Sequence, residues 1–180
     1  MDAALRGAPA RLPRSGRRAR LEPAADVAGA RGLYRGDRTA AEAAAAAADV
    51  ALDVFDAAAL GRVDRLRTLL DADRALVDSL SDDGFTALHL ACFSGGAEAV
   101  QLLVERGAPL ERLAEASFAR VRPLGTAVFA GSVQATRILL GAGADPNGDA
   151  GGHRPLQTAE ANGNEELVRL LREHGATLPV

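Results

Sequence analysis

The stretch DDGFTALHLACFSGGAEAVQLLVERGAPL, from Asp82 to Leu110, decides the reading of the whole chain. Thr86 stands where a helix N-cap belongs, because its side-chain oxygen can accept from an orphan N–H of the first turn. Leu88, Ala91 and Cys92 then draw an apolar stripe along a short helix. Gly95 and Gly96 break it. Ala99, Val100, Leu102 and Leu103 form a second stripe, and Gly107 sits where a C′ glycine ends a helix. Helices this short are marginal alone in water, so the pair must bury its stripes against neighbours.

Neighbours exist as internal copies. The glycine that breaks the first helix recurs as Gly61, Gly95, Gly131 and Gly163, at steps of 34, 36 and 32 residues. An alanine lies four residues before each, at Ala57, Ala91, Ala127 and Ala159. A leucine lies eight residues after each, at Leu69, Leu103, Leu139 and Leu171. Three copies close with Gly-Ala, at Gly107-Ala108, Gly143-Ala144 and Gly175-Ala176. Four coincident columns in four copies predict one helix-turn-helix unit repeated.

DGFTALHLA from Asp83 to Ala91, with GADPN from Gly143 to Asn147, resembles the ankyrin repeat, a unit of about 33 residues with a T-P-L-H-x-A signature. The resemblance runs from about Val50 to Ala176. Ala87 replaces the signature proline, Gly125 and Gln157 replace its histidine, and Pro109-Leu110 replaces the usual Asp-Val ending. It implies an all-α solenoid of about four repeats, near 50–81, 82–112, 113–149 and 150–180, within a domain spanning 39–180. It also implies a structural His89, its ring bonded to the backbone of the adjoining finger. Such stacks bind partner proteins on their concave face.

Composition agrees. Aromatics make up 3% of the chain and Trp is absent, so the core must be leucine, valine and alanine. No apolar run reaches the roughly 20 residues that span a bilayer. The single cysteine, Cys92, excludes an internal disulfide framework and fits a reducing, cytoplasmic compartment. Its place on an apolar stripe makes it a small buried hydrophobe. All 21 basic residues are arginine, which points to a GC-rich, bacterial genome.

Residues 1–38 differ from the rest. They hold nine arginines and four acidic residues, +5, against −8 for the remainder. With Pro9, Pro13 and Pro23 and little periodicity, this Arg/Ala-rich tail is expected to be disordered. Arg17-Arg18 is followed by no apolar export segment. The tail could associate with nucleic acid or another acidic surface, though it offers only Tyr34 as an aromatic and no fold behind it. Next comes TAAEAAAAAA, Thr39 to Ala48, with capping-box spacing between Thr39 and Glu42. This helix is expected to run through Val50 and Val54 to Leu60 and to cap the first repeat.

The 36-residue step places extra residues in the finger ERLAEASFARVR, Glu111 to Arg122. Insertions in repeat arrays map to loops, often on the binding face. The positions just before each marker glycine are exposed in the family, and here they include Phe93 and Phe129. Phe85 and Phe118 stand in the fingers. The expected partner surface is therefore Phe85, Phe93, Phe118 and Phe129, with Arg120, Arg122 and Arg154 as a basic rim. The same phenylalanines could instead brace one repeat against the next. No nucleophile-base pairing, phosphate loop or metal-ligand spacing occurs, so neither catalysis, a cofactor nor a metal is expected. A non-catalytic, monomeric protein-binding module follows. A structural partner of a separate enzyme would leave the same signature.

Overall fold

Asp53 opens the first repeat. Its backbone is extended, and its carboxylate accepts from the N–H groups of Phe55 and Asp56, each at 2.8 Å. A helix begins there, because a side chain that satisfies two orphan donors fixes a helix start at that residue. The expected unbroken helix into Leu60 is thus corrected: the leading helix is α1, Val54–Ala59. The computed structural model describes residues 52–94, 96–117, 119–148, 150 and 154–178. The tail 1–38, the polyalanine segment, Gly95, Phe118 and His153 lie outside them.

Seven further α-helices follow among the described residues. They are α2 (Val63–Ala72), α3 (Ala87–Ser94), α4 (Ala97–Glu105), α5 (Pro123–Phe129), α6 (Val133–Gly141), α7 (Pro155–Ala161) and α8 (Glu165–Glu173), with a 3-10 turn at Arg74–Asp78. Odd-numbered helices pack on one another as an inner layer, and even-numbered helices as an outer layer. Isolated β-bridges pair Leu80 with Thr86 and Ala116 with Ala119. Pro123 and Pro155 occupy N1, and Ser132 caps α6 by accepting from Ala135 N–H.

Each marker column has a structural job. Gly61, Gly131 and Gly163 adopt φ of +66°, +72° and +65°. The next residue turns back and donates its N–H to the marker alanine: Arg62 to Ala57 at 2.8 Å, Ser132 to Ala127 at 2.9 Å, Asn164 to Ala159 at 3.0 Å. Gly96 donates to Ala91 in the same way. At the second helix of each later repeat, Ala108, Ala144 and Ala176 donate to the marker leucines Leu103, Leu139 and Leu171, each at 3.0 Å. These are Schellman closures, which satisfy orphan carbonyls and reverse the chain within two residues.

One continuous core results, running from Val54 and Leu66 through Leu88, Leu103, Leu124 and Leu139 to Leu167 and Leu171. Cys92 lies wholly within it, and burial pushes its thiol up, so it stays protonated. In α8 the leucines point inward while Glu165, Glu166, Arg169, Arg172 and Glu173 face solvent. A polar outer face is what a terminal repeat needs.

Two glycines test this arrangement. Gly131→Ala forces a β-carbon into the left-handed region and should cost about 1–2 kcal/mol. Gly125→Ala, inside α5 with nothing within 4 Å of the added methyl, should gain up to about 1 kcal/mol. Urea unfolding midpoints of the two variants check the contrast. The opposite order would contradict the closure.

Candidate functional site

Helix α3 places Phe93 and helix α5 places Phe129 two residues before their marker positions, on adjacent repeats. Their rings stack with centroids 6.5 Å apart and planes 20° off parallel. Phe93 is half-buried, whereas Phe129 is 66% exposed. Aromatic contact of this kind adds about 0.5–1.5 kcal/mol beyond area burial. One phenylalanine therefore braces the other, and the outer ring keeps most of its surface in water. Ala130, Ala161 and Asn162 continue the exposed inner-helix surface beside it. Among the described residues, the other large apolar side chain so exposed is Leu178.

Phe85 does not join this patch. It is 2% exposed and meets the His89 ring edge-on, centroids 6.0 Å apart. The expectation that Phe85 faces a partner is corrected, and the cause is the long finger. Ala114 and Ala116 from that finger close a second apolar cluster over Phe85, Leu90, Ala59 and Leu60. The finger crosses so near that a β-carbon on Gly84 would lie 2.6 Å from backbone atoms of Glu115 and Ala116. Glu115 N–H donates to Gly84 O at 2.8 Å.

The expected basic rim is mostly engaged. Arg122 pairs with Glu111, and Arg154 reaches Thr177 O at 3.5 Å. Arg120 is exposed. Sequence reasoning missed Glu111. Its Oε1 accepts from Asp145 N–H at 2.8 Å, while Asn147 Oδ1 accepts from Thr177 N–H at 2.8 Å. Glu111 and Asn147 stand four residues after Gly107 and Gly143, so one bond is repeated between successive fingers. The shared offset was the available signal.

His89 ties the second repeat to the next finger. Val121 O, 3.0 Å from Nε2, can only accept, so Nε2 carries the proton. Nδ1 then accepts from the Thr86 hydroxyl at 2.8 Å, and Thr86 Oγ1 caps His89 N–H at 3.4 Å. Desolvation lowers the ring's pKa to about 4, opposed by the bond to Val121 and assisted by the Arg112 charge. A neutral ring whose nitrogens are both occupied is a fastener, not a free base. Among the described residues no group of three or more His, Cys, Asp or Glu could hold a metal ion.

Comparison with known proteins agrees with this geometry. A family model described as ankyrin repeats (many copies) matches residues 54–109. The chain carries ankyrin repeats. A putative ankyrin repeat-containing protein of Treponema pallidum is 33% identical over 122 residues, 62% of this chain and 40% of that one. A transient receptor potential cation channel subfamily A member 1 homolog of Caenorhabditis elegans is 33% identical over 118 residues, covering 66% of this chain and 10% of its own. Ankyrin repeat and KH domain-containing protein 1 of Homo sapiens is 37% identical over 98 residues, 53% and 4% respectively. This chain thus spans well under half of each. Ankyrin repeats are protein-interaction modules. No helix among the described residues is long and apolar enough to cross a membrane.

The His89 fastener predicts a pH dependence. Its folded pKa, about 4, lies below the 6.5 of the free ring. Its contribution is therefore full above pH 6.5 and is lost as pH falls towards 4. Relative to His89→Gln, the native chain should lose up to about 3 kcal/mol over that window. Paired urea titrations at several pH values check this, and a pH-independent difference would refute it.

Proposed function

We propose that the array is a non-catalytic protein-binding module, monomeric and cytoplasmic, whose inner-helix face receives an apolar element of a partner protein at Phe129. The exposure of Phe129, held in place by its stack on Phe93, carries the reading. A large aromatic fixed by one neighbour and open to water loses little side-chain entropy on contact, as interface hot spots require. Flanking Ala130 and Ala161 leave room around the ring. The buried state of Cys92 and the fastened state of His89 leave neither as an accessible nucleophile or base, which supports a binding role. Arg120 is the rim residue best placed to meet a partner's acidic group.

The test is quantitative capture from a host lysate with the native chain and with Phe129→Ala as baits, followed by affinity measurement on the captured protein. Removing an exposed ring should change folding stability by no more than about 0.5 kcal/mol. Affinity should fall by about 2 kcal/mol or more, roughly 30-fold. Full capture by Phe129→Ala, with loss on deleting residues 1–38 and a steep salt dependence, would move the function to the basic tail.

A further inference from the structure

The first limb of the long finger is seated on the second repeat in the way a bound strand would be. Ala114 and Ala116 are buried while Glu115 and Ser117 are exposed, the alternation of an extended chain. The buried pair shares one apolar cluster with Phe85 and Leu90. Between them Glu115 N–H donates to Gly84 O at 2.8 Å. Apolar side chains at alternate positions with a main-chain bond between them are how a receptor holds an added strand. Gly84 permits the approach, since a β-carbon there would stand 2.6 Å from Ala116 N and Glu115 C. The surface under the finger adjoins the open one. Leu90 and Phe93 are three residues apart on α3 and so share a side of it, and Phe93 stacks on Phe129. Phe85, Leu90, Phe93 and Phe129 therefore follow one another, closed by the finger at one end and open at the other.

We propose that the long finger is an autoinhibitory strap, which keeps Phe85 and Leu90 closed until an extended segment of a partner protein, with apolar side chains at alternate positions, takes its place. The strap is built to leave as a unit. Ala114 N–H donates to Val121 O at 2.9 Å and Ala119 N–H to Ala116 O at 3.4 Å, so its two limbs hold each other. Its grip on the cluster is slight. Ala114 and Ala116 bring one methyl group each, with half-buried Ala119 and Val121 beside them. Arg112 meets Asp78 at 3.9 Å and Glu115 at 3.2 Å, all on side chains more than a third exposed, and such pairs contribute little. The closed state also keeps Arg112 Nε from water with no hydrogen-bond partner, which offsets part of what the contacts supply. The strap reduces a partner's apparent affinity to the fraction of molecules in which it is open. A partner that continues onto Phe129 gains contacts beyond that cluster, and in this respect the strap rests on the role proposed for Phe129.

Thiol labelling of the full chain tests this without involving Phe129, so failure here is distinct from failure of the Phe129 site. Leu90→Cys, made together with Cys92→Ala, puts a single thiol beneath the strap. The native chain has its single thiol, Cys92, in the central seam. The Leu90→Cys thiol should react at least about 10-fold faster than Cys92, at a rate that low urea leaves unchanged, because local opening exposes little surface. Adding Glu115→Pro removes the N–H that reaches Gly84 and should speed labelling by a further 10-fold or so, with the helical circular dichroism retained. If that variant unfolds, Ala114→Asp with Ala116→Asp gives the same readout. A synthetic peptide of the native finger, Glu111 to Arg122, added at millimolar concentration to the opened variant, should slow labelling at least about threefold. Equal rates and equal urea dependence for the two thiols would make the finger a fixed part of the core and overturn the proposal. So would labelling of the opened variant that the peptide leaves unchanged.

Discussion

The fold depends on a chain reversal made the same way at the end of nearly every helix. A glycine takes the left-handed conformation, and the following N–H returns to a carbonyl five residues back. Short helices cannot support themselves. They persist because each reversal lays the next helix against the last and passes one apolar seam from Val54 to Leu171. The outer helix of the first repeat is the exception. It has no closing glycine, and it runs instead through Asp73 into a 3-10 turn.

Polar contacts between fingers add register to that seam. Glu111 and Asn147 make the same bond to the next finger, and His89 reaches Val121 across the lengthened one. The long finger has a second effect, because it folds back onto the second repeat and covers Phe85 and Leu90. On the inner-helix face Phe129, Ala130, Ala161 and Asn162 stay exposed.

Much of this was legible in the sequence because the reversal leaves a strict signature. Only glycine tolerates the left-handed turn cheaply, so Gly61, Gly131 and Gly163 had to recur. The alanine column, and the leucine column at Leu103, Leu139 and Leu171, proved to be the residues whose carbonyls close those turns. His89 was legible through the same repeat pattern. Phe85 was not, because its burial depends on where an inserted finger lies, which no periodicity encodes. The helix start at Asp53 was hidden by the alanine run before it in the sequence, since propensity predicts one long helix and only the cap geometry shows where this one begins. Glu111 escaped because a carboxylate stands where its neighbour copy has Asn147.

Native-state hydrogen exchange tests the reversals most directly. The amides of Arg62, Ser132 and Asn164, which lie just beyond the marker glycines, should exchange as slowly as amides in the helix interiors, because each is bonded into the turn that holds two helices together. Exchange of these amides at the rate of an open loop, with the helices still protected, would contradict the account.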